Sequence, residues 1–280
     1  MRAKTLSIEE ILLQAQKIIN LTPVTLNEAR DILSLVLKQP VSYLVAHPDY
    51  KITASQSKIF YSLLKKRIKG WPMAYLTGSK GFYGLDFKVD ENVLIPRPET
   101  EQIVDWVLQN YKRDIRLTIA DVGTGSGCLA ITLAKYFPLA EILALDPSEK
   151  ALAVARTNAK LHGQNAKVKF LKGKYLQPIN KFARLDLVIS NLPYLTQTEL
   201  QNVPFEPKLA LDGGRQGLDL IYQLIEEIID KQIPQAILEI SPAQEPWLET
   251  KMRDYNNYKF EFQKDLSQKT RFLIITKSAP

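Results

Sequence analysis

The length, composition and charge of the chain limit what it can be. Its 280 residues, 45% of them hydrophobic, are enough for one large and one smaller domain with buried cores. The single cysteine, Cys128, cannot form an internal disulfide, and two histidines are too few for a zinc site, so we expect no metal. No apolar run approaches the roughly 18 residues of a membrane span, and no charged-then-apolar segment starts the sequence. We therefore expect a soluble, cytoplasmic protein with no membrane partner.

The positive charge is concentrated at the start of the chain. The formal net charge is +7, and residues 1–70 hold 11 Lys or Arg against 5 Asp or Glu. Such an excess steers an acidic partner, either protein or nucleic acid. A solvated basic surface gives the same pattern, so charge alone leaves both interpretations open.

Three helices are predicted in the first 70 residues. Apolar residues recur there at helical spacing, and two capping boxes, Ser7 with Glu10 and Thr25 with Glu28, indicate where helices begin. The predicted helices cover residues 7–20, 25–37 and 54–69. Residues 1–70 should therefore form a small all-α bundle.

The hydrophobic period changes after residue 70. Between Trp71 and Pro98, three glycines separate short runs at residues 85–89 and 93–95, which predicts a β-hairpin linker over 71–98. Beyond it, strand and helix patterns alternate, as is typical of a mostly parallel sheet flanked by helices. The predicted strands are Leu117–Ala120, Ile142–Leu145, Leu185–Ile189 and Ala236–Ile240, closed by an antiparallel pair at Tyr258–Gln263 and Arg271–Thr276. Residues 99–280 are thus a second, α/β domain.

A glycine-rich loop follows the first strand of this domain. It leads into the helical stretch Leu129–Tyr136, and it comprises Gly123, Thr124, Gly125, Ser126 and Gly127. Strand, glycine loop and helix in this order let a ligand approach backbone N–H groups at a helix N-terminus. A tight turn with close helix packing is the alternative interpretation of the loop by itself.

Two acidic residues accompany the loop. Asp146 ends the next apolar strand, where a carboxylate can accept both hydroxyls of a ribose. Alternatively, Asp146 is the N-cap of a helix that Pro147 opens. Asp121 lies two residues before the first glycine, and this spacing resembles the S-adenosylmethionine loop of seven-strand methyltransferases. The resemblance implies a cofactor with a cationic sulfonium and ammonium, which nearby acids suit better than they suit a phosphate.

The strand Leu185–Ile189 runs into Ser190 and the tetrapeptide Asn191-Leu192-Pro193-Tyr194. The carboxyl end of such a strand is where ligands bind in open α/β sheets. The Asn191 side-chain carbonyl and the following backbone carbonyl can each accept one N–H of a planar amide or amino group, while Tyr194 offers a face for stacking and Pro193 adds rigidity. An ordinary turn is the alternative interpretation, because Asn and Pro are common turn formers.

With these motifs the chain resembles the HemK/PrmC family, the protein-(glutamine-N5) methyltransferases of class-1 peptide chain release factors. Three further segments resemble motifs of that family over nearly the whole length. They are residues 70–78, 93–101 and 207–219. The segment 95–101 could instead be a proline-rich link that opens a helix.

The resemblance implies a Rossmann-like, seven-strand class I methyltransferase domain with S-adenosyl-L-methionine as cofactor. It places the cofactor contacts at Gly123 through Gly127, Asp146, Tyr175 and Asn191, and the substrate glutamine on Asn191 through Tyr194. It further implies that the helical domain, residues 1–70, docks on the release factor, whose Gly-Gly-Gln loop enters the site. We expect a monomer without a stable nucleic-acid partner.

Two positions depart from the family pattern. The family usually has Asn-Pro-Pro-Tyr, whereas Leu192 stands second here; because the contribution of that position is a backbone carbonyl, leucine can serve with less rigidity. An acidic residue often precedes the aromatic at the adenine site, but this chain has Lys174 before Tyr175.

Four other functions remain to be weighed. Asn-Leu-Pro-Tyr also resembles the motif of ribosomal-RNA adenine dimethyltransferases, and a DNA adenine-N6 methyltransferase would use the same chemistry. The RNA enzymes, however, generally place the helical domain after the cofactor loop, whereas here it precedes the loop. A nucleotide-dependent oxidoreductase would leave the tetrapeptide without a task, and the intact tetrapeptide also argues against a non-catalytic binding module.

Overall fold

The computed structural model describes residues 5–180 and 184–278, so residues 1–4, 181–183 and 279–280 of the predicted domain ranges lie outside the described residues. The chain divides into two compact units between Gly78 and Ser79. The three-part division at residues 70 and 98 stays a prediction. Within the described residues, no helix combines the length and the apolar character needed to cross a membrane.

The first unit is the predicted helical bundle. Two capping boxes begin its first helices as expected, and a third, Thr53 with Gln56, begins a later one. Its core is formed by fully buried apolar side chains, among them Ile11, Leu33 and Phe60. The elements are β1 (Leu6–Ser7), α1 (Ile8–Ile19), α2 (Leu26–Leu37), α3 (Val41–Ala46), β2 (Lys51–Ile52), α4 (Ala54–Ile68) and α5 (Met73–Thr77), with β1 antiparallel to β2.

The predicted hairpin over 71–98 is wrong in its extent. The hairpin consists only of β3 (Ser79–Phe82) and β4 (Leu85–Lys88), while the residues before it form α5. Tyr83 and Gly84 both have positive φ, 49° and 71°, which is the geometry of a two-residue turn that matches strand twist. Residues 93–95 are not a strand, because the Ile95 N–H donates to the Glu206 carboxylate and a proline follows.

The second unit confirms the predicted α/β fold. In the part of the chain that is described, seven strands form one sheet in the order β10-β11-β9-β8-β5-β6-β7, parallel from β9 to β7 and antiparallel at β10 and β11. The strands are β5 (Thr118–Val122), β6 (Glu141–Asp146), β7 (Val168–Lys172), β8 (Leu187–Ser190), β9 (Gln235–Glu239), β10 (Tyr258–Lys264) and β11 (Thr270–Lys277). The helices are α6 (Glu101–Asn110), α7 (Cys128–Tyr136), α8 (Glu149–Leu161), α9 (Asp219–Asp230) and α10 (Glu245–Met252).

Two apolar layers cover the faces of this sheet. One contains α7 residues such as Leu133 packed with Ile119, and the other contains α9 residues such as Leu224 packed with Val188. Buried strands covered on both faces explain the continuous apolar runs in the sequence. The carboxyl ends of β5, β6, β8 and β9 consequently meet at one edge, which carries the polar residues described next.

Candidate active site

The glycine loop between β5 and α7 is held by its own backbone donors. The N–H groups of Gly123 and Thr124 both donate to the Leu145 carbonyl, at 2.8 and 2.9 Å, and the Gly125 N–H donates to Asp146 Oδ2 at 3.0 Å. These donors are therefore engaged within the protein and do not form a cradle for phosphate. At Gly127, a β-carbon would lie 2.8 Å from Ile131 and 3.1 Å from Ala155, so this glycine serves close helix packing.

The two acids near the loop have different surroundings. Asp121 is 1% exposed and accepts hydrogen bonds from Thr124 Oγ1 (2.6 Å) and the Ala130 N–H (3.2 Å). Burial raises the pKa of Asp121 to about 7. Asp121 therefore ties the loop to α7, and it also lines a small cavity described below. Burial and the nearby Asp121 carboxylate likewise raise the pKa of the Cys128 thiol to about 12.

Asp146 lies at the end of β6. Its Oδ1 accepts from the Ser148 N–H at 2.8 Å and its Oδ2 from the Gly125 N–H, while burial raises its pKa. The alternative that Asp146 is the N-cap of the next helix is wrong, because Ser148 caps α8 by accepting from the Ala151 N–H. Each Asp146 oxygen retains a lone pair for a ligand.

A cavity of about 500 Å³ opens beside the loop, a size typical of a small-molecule site. Its wall includes Lys174 next to Tyr175, which lies in the left-handed region with φ of 49°. Leu209, 61% exposed, lies at the same cavity. Of the predicted site residues, those on its wall are Gly123, Gly125, Asp146, Tyr175, Asn191, Leu192 and Pro193.

A smaller cavity of about 40 Å³ shares Gly123, Gly125 and Asn191 with the large one. Two further predicted residues, Thr124 and Ser126, line it. Asn191 therefore stands at the wall common to both cavities.

The tetrapeptide is fixed by close packing. Leu192 is 9% exposed, and its Cδ2 lies 3.2 Å from where a β-carbon of Gly123 would be, so its side chain packs on the glycine loop. On the other side, a β-carbon on Gly213 would lie 2.7 Å from Tyr194 Cα. The Leu195 N–H donates to the Leu211 carbonyl at 2.9 Å, which ties the residue after the tetrapeptide to the segment that contains Gly213. The tetrapeptide is thus packed against the glycine loop on one side and against the segment around Gly213 on the other.

Tyr194, unlike the other three residues of the tetrapeptide, lines neither cavity. Its side chain lies near the charges of Glu239, Arg271 and Arg97, and burial raises its pKa to about 12. The phenol therefore stays protonated at neutral pH and is not a base.

A buried chain of hydrogen bonds behind Asn191 was missed by sequence reasoning. Asn191 Nδ2 donates to Thr100 Oγ1 at 2.9 Å, and Thr100 Oγ1 donates to Glu239 Oε2 at 2.6 Å. Thr100 and Glu239 are each 2% exposed. A signal existed for Glu239, since it is a charged residue within an otherwise apolar strand run and occupies the same strand-end position as Asp146.

Two further contacts hold the rim of the site. Glu206, whose side chain is 7% exposed, forms an ion pair with Arg97 and accepts from the Ile95 N–H at 3.2 Å. Asn158, fully buried on α8, donates to the Ser126 carbonyl (2.9 Å) and the Lys88 carbonyl (3.0 Å). A polar residue on the apolar face of a predicted helix was the available signal for Asn158.

The arrangement suits a ligand with hydroxyl groups, because Asp146 on the cavity wall offers acceptors. The N–H groups of Gly123, Thr124 and Gly125 already donate to protein acceptors. A dinucleotide would need those donors for its pyrophosphate. The geometry therefore disfavours the oxidoreductase interpretation.

The sheet order, the glycine loop and the strand-end tetrapeptide define a Rossmann-like class I methyltransferase, and residues 102–205 match the family model described as Methyltransferase small domain. Among solved structures, the N-terminal domain of human METTL16 is similar, with a TM-score of 0.54 at 14% identity over 89% of this chain and 93% of that one. At such identity the likeness shows the fold alone.

Curated relatives narrow the class to one family. The chain is 36% identical over 245 residues to the release factor glutamine methyltransferase of Koribacter versatilis, covering 85% of this chain and 87% of the relative. It is 39% identical over 202 residues to that of Coxiella burnetii, covering 71% and 72%. Residues 10–78 also match the PrmC N-terminal domain. The chain belongs to the release factor glutamine methyltransferase family and is a methyltransferase, as its resemblance predicted.

Proposed function

We propose that this enzyme transfers the methyl group of S-adenosyl-L-methionine to the side-chain amide nitrogen (N5) of the glutamine in the Gly-Gly-Gln motif of class-1 peptide chain release factors. The names of its relatives support the substrate. The observation that carries the chemistry is the Asn191 carboxamide, which stands at the wall of both cavities with its nitrogen donating to Thr100. Its carbonyl oxygen is then the atom left to meet a substrate N–H.

The cavity residues fit the cofactor. The glycines at 123 and 125 would let the nucleoside approach the loop backbone, Asp146 would accept the ribose hydroxyls, and Tyr175 would hold the adenine. Asp121, Thr124 and Ser126 would surround the methionine end of the cofactor in the smaller cavity. When bound, S-adenosylmethionine supplies a methyl carbon activated by a sulfonium.

The residues of the tetrapeptide make a poor nucleophile available. An amide nitrogen has its lone pair delocalised into the carbonyl, so its orientation decides whether it can react. Asn191 Oδ1 would accept one N–H and the Leu192 carbonyl the other, which would fix the direction in which the nitrogen lone pair points. Both hydrogen bonds strengthen as the nitrogen becomes cationic, and this favours the transition state over the bound substrate.

The amide nitrogen is strongly acidic once it carries the methyl group and a positive charge, so it loses one proton to solvent and no strong general base is needed. The Tyr194 phenol, with its pKa raised to about 12, stays protonated and offers a flat face for the amide, while Pro193 limits backbone freedom beside it.

We further propose that the basic helical unit docks on the release factor, since residues 1–70 carry most of the net positive charge.

The substrate is tested by methyl transfer from labelled S-adenosylmethionine. The enzyme is incubated with a class-1 release factor or with undermodified ribosomal RNA, and the labelled molecule is identified by mass spectrometry. We expect label on the glutamine of the Gly-Gly-Gln motif. Label in the RNA alone would overturn the assignment in favour of the adenine-N6 alternative.

The role of Asn191 is tested by substitution. Asn191→Ala should lower turnover by about 100- to 1,000-fold, as expected when a preorganised polar contact to the reacting group is removed, while cofactor binding survives at least in part. Asn110→Ala, at the far end of α6, is the matched control and should retain normal turnover. Unchanged turnover in Asn191→Ala would refute the mechanism.

A further inference from the structure

Three distant segments bring one polar residue each to the back of the active site. Asn191 follows the last residue of β8, and Glu239 is the last residue of β9. These strands are parallel, with Ser190 opposite Leu238, so Asn191 and Glu239 lie at neighbouring strand ends. Thr100, which precedes α6, lies between them and bonds to both side chains.

The chemistry of these groups fixes the direction of each hydrogen bond. An ionised carboxylate only accepts, so the Thr100 hydroxyl must donate its single proton to Glu239. Thr100 Oγ1 then has only lone pairs left for its second partner. It therefore selects the NH₂ end of the Asn191 carboxamide, at 2.9 Å, and leaves the C=O end toward the cavity.

We propose that Glu239, acting through Thr100, is a positioning residue that sets which end of the Asn191 carboxamide faces the substrate. The inference rests on the proposed function, in which Asn191 Oδ1 accepts a substrate N–H. Glu239 lines neither cavity, and Thr100 lines only the smaller one, where valine would keep the shape of the threonine side chain. With the carboxamide reversed, Asn191 would present donors to an amide nitrogen that also carries only donors, and productive binding would be lost.

The protonation state of Glu239 supports this role. Burial raises its pKa to about 7, and the charged groups around it are Arg271 on β11, which also pairs with Asp265, and Arg97 and Glu99 before α6, with Tyr194 nearby. A protonated Glu239 can donate to Thr100 Oγ1, which frees the threonine proton for Asn191 Oδ1. The selection of one carboxamide orientation is then lost below that pH.

The turnover test compares Thr100→Val, Thr100→Ser and Glu239→Gln with the wild type across pH 6 to 9, using release factor as substrate. Thr100→Val should lower kcat about 10- to 100-fold with little change in the KM for S-adenosylmethionine, because it misorients Asn191, and Thr100→Ser should restore most of it. Wild-type kcat should rise through a midpoint near 7, the pKa of Glu239, and Glu239→Gln should lose that limb.

Thr132→Val on α7 is the matched control. Thr132 is fully buried, and its hydroxyl has no hydrogen-bond partner among the described residues, so the same substitution should leave kcat unchanged. Wild-type turnover in Thr100→Val, or a wild-type pH profile in Glu239→Gln, would overturn the proposal.

A second measurement is independent of the substrate. The ¹⁵N–¹H signals of the Asn191 side-chain amide, assigned by their loss in Asn191→Asp, should shift with a midpoint near pH 7 in the wild type and show no such titration in Glu239→Gln. If release factor acquires no label but these signals titrate, only the proposed function fails. If the signals are insensitive to pH and to Thr100→Val, the positioning role fails whatever the substrate.

Discussion

A single methyl group placed at Gly213 should displace the tetrapeptide Asn191–Tyr194 from the segment that packs against it. Gly213 is buried, and a β-carbon there would lie 2.7 Å from Tyr194 Cα and 2.8 Å from Gly217 Cα and O, all of them backbone atoms. Ordinary contact begins at 3.4 Å, so Tyr194 would have to move by about 0.7 Å. The hydrogen bond from the Gly213 N–H to the Leu195 carbonyl, at 3.0 Å, opposes that movement.

The displacement should lower both the stability and the turnover of the enzyme and leave cofactor affinity nearly unchanged. Overpacking of a well-packed site costs about 1–3 kcal/mol in the free energy of unfolding. A misplacement approaching 1 Å in a catalytic group costs up to about 100-fold in rate, so Gly213→Ala should lower kcat by about 10- to 100-fold. Gly213 does not line the large cavity, and the dissociation constant for S-adenosylmethionine should change by less than about threefold.

The assay compares Gly213→Ala with Gly81→Ala. Both glycines have φ outside the left-handed region, but at Gly81 in β3 the nearest atom to an added β-carbon, Asp86 Oδ1, is 3.9 Å away. Turnover on release factor, urea unfolding and cofactor titration are measured for each variant. Equal turnover in the two variants would refute the argument that packing of Gly213 positions the tetrapeptide.

The other predictions concern the charged residues around the site. Asp146→Ala should weaken S-adenosylmethionine binding about 10- to 100-fold by calorimetry, because charge-assisted hydrogen bonds contribute about 1.5–3 kcal/mol. The control Ser148→Ala should lose only the stability that the helix cap gives. Equal affinities of the two variants for the cofactor would contradict the proposed ribose contact of Asp146. Asp121 has a folded pKa of about 7 against an ordinary 3.8, so the stability that it contributes is complete below pH 4 and is lost as pH rises through 7. Asp121→Asn should therefore flatten the fall in unfolding free energy between pH 4 and 7, and an unchanged slope in urea melts would count against this pKa. Glu206→Ala should lower the free energy of unfolding by about 1–3 kcal/mol by leaving the Ile95 N–H and Arg97 without their acceptor, and an unaltered thermal midpoint would show that this rim contact is unimportant.

Local chemistry made much of this fold predictable. The capping boxes at Ser7 and Thr25 satisfy orphan N–H groups with residues three positions apart, so they can be recognised without tertiary structure. The buried parallel strands are continuous apolar runs because both faces of the sheet are covered by helices. Asp146 and Asn191 were recognisable because each ends such a run, where the sheet edge makes ligand sites.

The features that were missed depend on tertiary structure or on weak local signals. Strand β7 is at the sheet edge, and its alternating Val-Lys-Phe-Leu-Lys pattern lacks a continuous apolar run. The hairpin turn uses Tyr83 at positive φ, a position where glycine or asparagine is the usual signal. The link between Thr100 and Glu239 joins residues 139 positions apart, and no local pattern connects them.

The raised pKa of the Cys128 thiol makes the enzyme convenient for fluorescence studies. With a pKa of about 12, this sole native cysteine is not a thiolate at neutral pH and should resist maleimide reagents. A dye could then be attached selectively to a cysteine introduced by Leu209→Cys at this exposed position, and Cys128 would not have to be replaced first. Such a label would report in real time when a partner protein reaches the mouth of the cavity.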